Sequence, residues 1–190
     1  MRGDEGEEKE LQLTDSRTRT LLLAQFDMAW ALAQYHLQGL TTQECLWAPA
    51  EPCIHVRRDG DTWRADWPET EGYEIGPPSI AWTTWHICFW WTKAIAHMEG
   101  NVSIDARDVP WPGDADRVRA TVQSLHDRWR ALIEGTDDAG FQRPRENSWP
   151  LPQSSFDSIA AWLNVELMKN AAEIGVVRFL YAVSSPSRKM

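Results

Sequence analysis

The sequence predicts an all-α protein, a four-helix bundle that carries one small β-hairpin between its first two helices. Three observations support this fold class. Four segments place apolar residues at helical spacing, residues that cap or end helices flank these segments, and the alternating apolar pattern of strands is confined to one short region. The connections between the helices differ in length, so a simple up-down-up-down order does not follow from the sequence.

The first helix is predicted over residues 14–38. Its apolar residues follow helical spacing, and Thr14 or Asp15 can cap its start. Gly39 ends the helix, as a glycine in the left-handed conformation commonly does.

A β-hairpin is predicted over residues 53–67. Two short runs of alternating apolar and polar residues flank Asp59, Gly60 and Asp61, and an Asp-Gly pair between such runs is typical of a tight hairpin turn. The hairpin is too small to be a domain of its own, so we expect it to lie across the end of a larger unit.

The remaining helices are predicted over residues 78–98, 114–134 and 155–183. A proline in the first turn is compatible with the start of the second helix, Asp114 can cap the third, and a serine pair can cap the fourth. We therefore expect a single domain over residues 14–184.

The two ends of the chain are predicted to be tails. Residues 1–13 are acidic and lack periodic apolar positions, which predicts a flexible segment. Residues 185–190 form a short polar end after the last helix. The acidic start also lacks the basic and apolar regions of a secretory signal.

Composition narrows the classes of function. The net charge is −9 and the sequence shows no cluster of Lys or Arg, which argues against nucleic acid and anionic membranes as partners. Three cysteines without a C-x-x-C pair suggest no disulfide framework, so we expect a cytoplasmic protein. Twelve tryptophans are several times the usual number, and composition does not decide whether they form a core or line a pocket.

The last predicted helix carries polar residues that are candidates for a site. It is apolar around most of its circumference, yet Glu166, Asn170 and Glu173 share one face at spacings of four and three residues. A buried carboxylate is costly unless it is paired, hydrogen-bonded or bound to a metal. The alternative is that this stripe faces solvent or pairs with a basic residue such as Lys169.

His86 in the second predicted helix is the candidate counterpart. It is surrounded in sequence by aromatic residues, where a histidine is commonly a hydrogen-bonded part of the core. However, a histidine that faces a Glu-x-x-x-Asn pair on another helix resembles the way in which bundles assemble metal sites.

Four segments of the chain carry a resemblance to a known family. They are residues 39–47, 58–68 with the sequence RDGDTWRADWP, 80–91, and 162–175 with the sequence WLNVELMKNAAEIG. With these segments the chain resembles the DinB-like superfamily, and most closely its actinobacterial branch.

The resemblance implies a four-helix bundle in up-down-down-up order. It also implies a divalent metal such as Zn, Ni, Mn or Fe, held by one histidine of the second helix and a His-x-x-x-His pair on the last. His86 matches the first ligand, whereas Glu166 and Asn170 stand where the histidine pair belongs. Since an amide oxygen suits zinc and nickel less well than an imidazole does, this departure predicts weaker binding of those ions.

Two hypotheses for function follow. In the first, the protein is a metal-dependent thiol S-transferase of the mycothiol type, in which the metal lowers the pKa of a low-molecular-weight thiol. Glu173 or His36 would act as the base, and Trp82, Trp85 and Trp90 would form the pocket wall. In the second, the protein is a non-catalytic stress-response or small-ligand-binding bundle whose metal site has degenerated. The sequence leaves a homodimer open in both cases.

Overall fold

The computed structural model describes residues 4–69, 72–101, 103–145 and 151–184. The regular structure of these residues consists of six helices, two short 3-10 turns and one two-stranded antiparallel sheet. The prediction of a mainly α-helical protein is therefore confirmed. Among the described helices, none combines the length and the apolar character that crossing a membrane requires.

The elements have the following bounds: α1 Asp4–Leu37, α2 Thr42–Cys45, β1 Val56–Asp59, β2 Thr62–Ala65, α3 Ile80–Met98, α4 Ala115–Gly135, α5 Asp138–Gln142 and α6 Phe156–Ser184. The long helices α3, α4 and α6 agree with the predicted ranges to within two residues. The short helices α2 and α5 were not predicted, because each is too brief to show a periodic apolar pattern.

The first helix differs from its prediction at its start. α1 begins at Asp4, whereas the apolar pattern predicts a start at residue 14. Residues 4–13 are rich in Glu, Leu, Lys and Gln, which have high intrinsic helix propensity even without an apolar face. The flexibility of residues 1–13 stays a prediction, and residues 185–190 lie outside the described residues.

Two of the long helices begin at side-chain caps. The hydroxyl of Ser79 accepts a hydrogen bond from the backbone N–H of Trp82 at the start of α3, and Asp114 accepts one from Arg117 at the start of α4. Each cap satisfies a backbone donor that the first helical turn leaves without a partner. The predicted cap at Asp114 is thus confirmed.

The hairpin lies within its predicted range. β1 and β2 pair in register, with Val56 opposite Ala65 and Asp59 opposite Thr62. The two-residue loop starts at Gly60, whose φ of 60° is readily available only to glycine.

The four long helices pack around one core, with α1 against α6 and α4, and α3 against α4 and α6. α1 and α6 run in the same direction. Asn164 donates a hydrogen bond to the carbonyl of Leu22 near one end, and Arg178 donates one to the carbonyl of His36 near the other.

The opposite pair of helices also runs in a common direction. The end of α3 approaches the second half of α4 through the ion pair of Glu99 with Arg128. Trp111, just before α4, donates a hydrogen bond to Thr84 near the start of α3. α4 is antiparallel to α1, as the ion pair of Arg130 with Asp27 and the hydrogen bond from Arg119 to the carbonyl of Leu40 require.

The core contains much of the tryptophan. Trp85, Trp91, Trp111 and Trp129 are each almost completely buried. Trp67, Trp82 and Trp90 line a cavity at the edge of the core. The tryptophans therefore do both things that composition leaves open: some form the core and others line a pocket.

Candidate functional site

Three polar side chains from two helices meet near one buried point. Nδ1 of His86 in α3 lies 3.3 Å from Nδ2 of Asn170 in α6, and 4.0 Å from Oε2 of Glu166 in the same helix. His86 and Asn170 are buried, and the side chain of Glu166 is 17% exposed. The structure thus brings together the three residues that the resemblance links to a metal.

The helix geometry explains why these side chains converge. Glu166 and Asn170 are separated by four residues, so they project from the same side of α6. α3 crosses that side in the opposite direction: His86 lies beside Asn170, and Trp90, one turn later, packs edge-on against Trp162.

Both ring nitrogens of His86 are engaged. The indole N–H of Trp90 donates a 2.7 Å hydrogen bond to Nε2. Because a nitrogen that accepts a hydrogen bond carries no proton, the neutral imidazole carries its proton on Nδ1. Neither nitrogen then offers a free lone pair to a metal ion.

The side chain of Asn170 complements this tautomer. Its Oδ1 atom is buried and has no hydrogen-bond partner within the part of the chain that the structure describes. Turning over the terminal amide exchanges Oδ1 with Nδ2 and allows the oxygen to accept a hydrogen bond from Nδ1–H of His86. In that orientation, Asn170 and Trp90 together satisfy both nitrogens of the ring.

The imidazole of His86 is neutral in the folded protein at ordinary pH. Burial, and to a smaller extent the positive charge of Lys169, lower the pKa of His86 to about 3. A charged imidazolium is disfavoured because the surrounding indoles replace water; the ring of Trp82 stacks on His86 with centroids 4.9 Å apart.

The negative charge of Glu166 is balanced by the protein itself. Nζ of Lys169 lies 2.8 Å from Oε2 of Glu166, three residues along α6. The ammonium group provides the positive charge that a bound cation would otherwise contribute. The sequence analysis offers pairing with a basic residue such as Lys169 as an alternative to metal binding, and this ion pair agrees with that alternative for Glu166.

A cavity of about 630 Å³ opens beside the cluster. Most of its wall is apolar or aromatic and comes from the region of the hairpin, from the segment before α3 and from α3: Ile54, Trp67, Pro68, Tyr73, Ile75, Pro77, Pro78, Trp82 and Trp90. The polar side chains that reach it are His86, Lys169 and Glu173. Such a surface, apolar with a few polar groups, is typical of small-molecule sites.

The predicted pocket wall is only partly found in this cavity. Trp82 and Trp90 line it, whereas Trp85 lies behind them in the core and donates a hydrogen bond to the carbonyl of Val109. Trp67 takes a place in the wall that sequence reasoning did not assign, with its ring 6.4 Å from that of Trp90. Trp67 follows the hairpin, and no periodic pattern there indicates which surface it covers.

The two candidate bases lie in different places. Glu173 lines the cavity, and burial raises the pKa of its carboxyl group. His36 packs so closely against Gly175 that a Cβ atom there would come within 2.5 Å of its ring. It lines a separate groove with Tyr35 and Phe179, so the structure does not bring His36 into the cavity.

The residues of the cluster do not fit the divalent metal that the resemblance implies. The imidazole of His86 is capped by Trp90 at Nε2, and the carboxylate of Glu166 is paired with Lys169. The third candidate, Asn170, offers a neutral amide in place of an imidazole. Elsewhere in the described residues, no group of three or more His, Cys, Asp or Glu side chains is placed to hold a metal.

The fold and the site define a mainly helical protein in which two antiparallel helices hold a buried His–Asn–Glu cluster beside an aromatic cavity. The sequence profile of the DinB superfamily matches residues 25–174, which is most of the chain. The chain therefore belongs to the DinB superfamily, and that prediction is confirmed. No curated protein matches the chain, and its assignment to the actinobacterial branch stays a prediction.

Proposed function

We propose that this DinB-superfamily protein binds a small, mainly apolar organic molecule in the tryptophan-lined cavity, without a divalent metal. The observation that carries the proposal is the hydrogen bond from Trp90 to Nε2 of His86, which engages the imidazole in the wall of the cavity. The cavity volume of about 630 Å³ falls within the range of roughly 300–1,000 Å³ that small-molecule sites occupy.

The packing of the helices supports a specific architecture for this binding protein. We propose that α1, α3, α4 and α6 form a four-helix bundle in up-down-down-up order. α1 and α6 run one way and α3 and α4 the other, which is the arrangement that this order requires. In such bundles, ligand sites are built from side chains on facing helices.

The wall of the cavity indicates the kind of ligand. The indoles of Trp82, Trp90 and Trp67 line the cavity and favour a flat apolar ligand, because aromatic rings gain from stacked or edge-on contacts. The ammonium of Lys169 and the carboxyl of Glu173 can orient one polar group of that ligand. A small aromatic alcohol has both properties.

Isothermal titration calorimetry with 1-naphthol in the presence of EDTA tests the proposal. We expect binding by the wild-type protein and at least about tenfold weaker binding by Trp82→Ala, whose substitution removes an aromatic wall. Trp63→Ala serves as the matched control, because Trp63 is also half-buried but lies outside this cavity. Binding that requires added zinc or nickel, or equal affinities in wild type and Trp82→Ala, would contradict the proposal.

The second candidate is a divalent-metal-dependent thiol S-transferase of the mycothiol type. The approach of Asn170 and Glu166 to within 3.3 and 4.0 Å of Nδ1 of His86 supports it. It requires Trp90 to leave Nε2 and Lys169 to leave Glu166, so the structure supports it less well. Metal analysis of protein purified without an affinity-column metal distinguishes the two, because an enzyme of this class would retain about one equivalent of metal.

A further inference from the structure

We propose that Trp67 limits the length of the ligand, because its indole separates the tryptophan-lined cavity from a second cleft. The side chain of Trp67 lines both the cavity of about 630 Å³ and a neighbouring space of about 680 Å³. Phe89, Lys93 and Ala106 also line the second space, which we call the Phe89 cleft. The inference rests on the proposed function, since it concerns which molecules the cavity accepts.

The packing of Trp67 places its ring at the boundary between the two spaces. The ring centroid lies 6.4 Å from that of Trp90, which lines the cavity, and 5.5 Å from that of Phe89, which lines the cleft. Phe89 and Trp90 are consecutive residues of α3, so their side chains project in different directions from the helix. The buried ring of Trp85 packs edge-on against Trp67 at 5.8 Å. The indole of Trp67 therefore lies across the aromatic surface of α3, with one space on each side.

Trp67 is held less firmly than the other indoles of the cavity wall. The N–H of Trp82 donates a 2.7 Å hydrogen bond to the carbonyl of Asp66, and that of Trp90 donates to His86. Within the described ranges of the chain, the indole of Trp67 makes no hydrogen bond, and its side chain is 50% exposed. A shorter side chain at this position would therefore join the two spaces without leaving a buried polar group unpaired.

The lining of the Phe89 cleft indicates what could enter it. Nζ of Lys93 lies 5.5 Å from the centre of the Phe89 ring, so the aliphatic stem of the lysine adds to the apolar surface. The positive charges of Lys93 and Arg107 are matched by the negative charges of Glu69 and Asp105. Since these charges balance, the cleft favours a neutral chain over an ion.

The two spaces together fit an elongated neutral molecule, with an aromatic alcohol in the cavity and an aliphatic chain in the Phe89 cleft. A 4-alkylphenol has this form. Each methylene group adds to affinity only if it leaves water on binding. In the wild-type protein the indole of Trp67 blocks the chain, so affinity should not increase with chain length once the chain reaches the ring.

Isothermal titration calorimetry with 4-ethylphenol and 4-hexylphenol, in the presence of EDTA, tests the inference. We expect the wild-type protein to bind 4-hexylphenol no more tightly than 4-ethylphenol. In Trp67→Ala, the preference for the longer phenol should rise by at least about tenfold. Trp82→Ala is the matched control, because Trp82 lines the cavity but not the cleft. It should weaken both phenols and leave the ratio of their affinities unchanged.

A second substitution tests whether the chain enters the Phe89 cleft. Ala106 lines this cleft and not the cavity, so Ala106→Phe fills the cleft with a ring. Added to Trp67→Ala, it should remove the gain for 4-hexylphenol and leave the affinity for 4-ethylphenol unchanged. If Trp67→Ala loses helical circular dichroism, Trp67→Leu replaces it, and the same outcomes apply.

The outcomes separate this inference from the proposed function. An equal ratio of affinities in wild type and Trp67→Ala, or a gain that survives Ala106→Phe, would overturn the inference, while binding of 4-ethylphenol by the wild type would still support the proposed function. Binding of 4-hexylphenol by Trp67→Ala alone, with no phenol or naphthol bound by the wild type, would overturn the proposed function and support the role of Trp67. Binding by neither protein would overturn both.

Discussion

Trp90 donates its indole N–H to Nε2 of His86 across 2.7 Å, one turn apart in the same helix. This hydrogen bond fixes the tautomer of the imidazole and uses the lone pair that a metal ion would need. It also links the polar cluster to the aromatic wall, because Trp90 belongs to both. The ability of the site to bind a metal ion therefore depends more on this hydrogen bond than on the spacing of Glu166 and Asn170.

Removing the indole donor should increase metal affinity. Trp90→Phe keeps an aromatic ring but leaves Nε2 of His86 without its donor, so we expect zinc and nickel to bind at least about tenfold more tightly than in the wild type. Calorimetric titration measures the change. Trp162→Phe is the control, because Trp162 contacts Trp90 edge-on. An equal gain in both variants, or none in Trp90→Phe, would show that the hydrogen bond does not limit metal binding.

A second imidazole should help only once the first is free. Asn170→His restores a stronger ligand for zinc or nickel, but in the wild-type background His86 is still capped by Trp90. We therefore expect a small gain from Asn170→His alone and a larger gain when it is combined with Trp90→Phe. The same titrations on the single and double variants give the coupling between the two substitutions in the free energy of metal binding. If the two changes in binding free energy simply add, the expectation is contradicted.

The buried His86 should make the protein less stable in acid. The unfolded chain binds a proton near pH 6.5, and the folded chain binds one at His86 only near pH 3. The contribution of neutral His86 to the free energy of unfolding is therefore fully present above about pH 6.5, and it is lost as the pH falls toward 3. We expect His86 to lower the free energy of unfolding by about 3 kcal/mol between pH 7 and pH 4.5. Urea unfolding of wild type and His86→Gln at both values measures it, and an equal pH dependence in the two proteins would contradict the assignment.

Trp85 should contribute more to stability than Trp67 does. Trp85 is 1% exposed and its indole N–H donates to the carbonyl of Val109, so Trp85→Ala should cost about 3–5 kcal/mol. Trp67 is 50% exposed, and Trp67→Ala should cost clearly less. Denaturant titration compares the two variants. A cost below about 1 kcal/mol for Trp85→Ala would show that the surrounding core does not hold the ring tightly.

Arg178 should be important for joining α6 to the end of α1 and to α2. Its guanidinium donates to the carbonyl of His36 and pairs with the largely buried carboxylate of Glu44 at 3.1 Å. Arg178→Met removes the cationic partner of that carboxylate, whose other oxygen keeps its hydrogen bonds from Thr41, so we expect a loss of about 2–4 kcal/mol in thermal or urea unfolding. Arg117→Met, which breaks an exposed pair with Asp114, should cost less than about 0.5 kcal/mol. Similar costs for the two variants would contradict this role.

The sequence by itself determined the helical class, the positions of the long helices and the hairpin. These features depend on local properties: the spacing of apolar residues, the caps, and a glycine in a tight turn. The i and i+4 spacing also determined that Glu166 and Asn170 share a face of one helix. The early start of α1 was missed, because helix propensity without an apolar face leaves no periodic pattern.

Only the tertiary structure decided what surrounds these residues. The approach of α3 to α6 sets His86 beside Asn170, and the path of the chain after the hairpin brings Trp67 to the cavity instead of Trp85. The structure also separates His36 from Glu173. Such contacts depend on how distant elements pack, and residues far apart in sequence carry no local signal of their distance in space. The indole of Trp90 shows this most clearly. Its place in the aromatic pattern of α3 does not reveal that its N–H donates a hydrogen bond to Nε2 of His86.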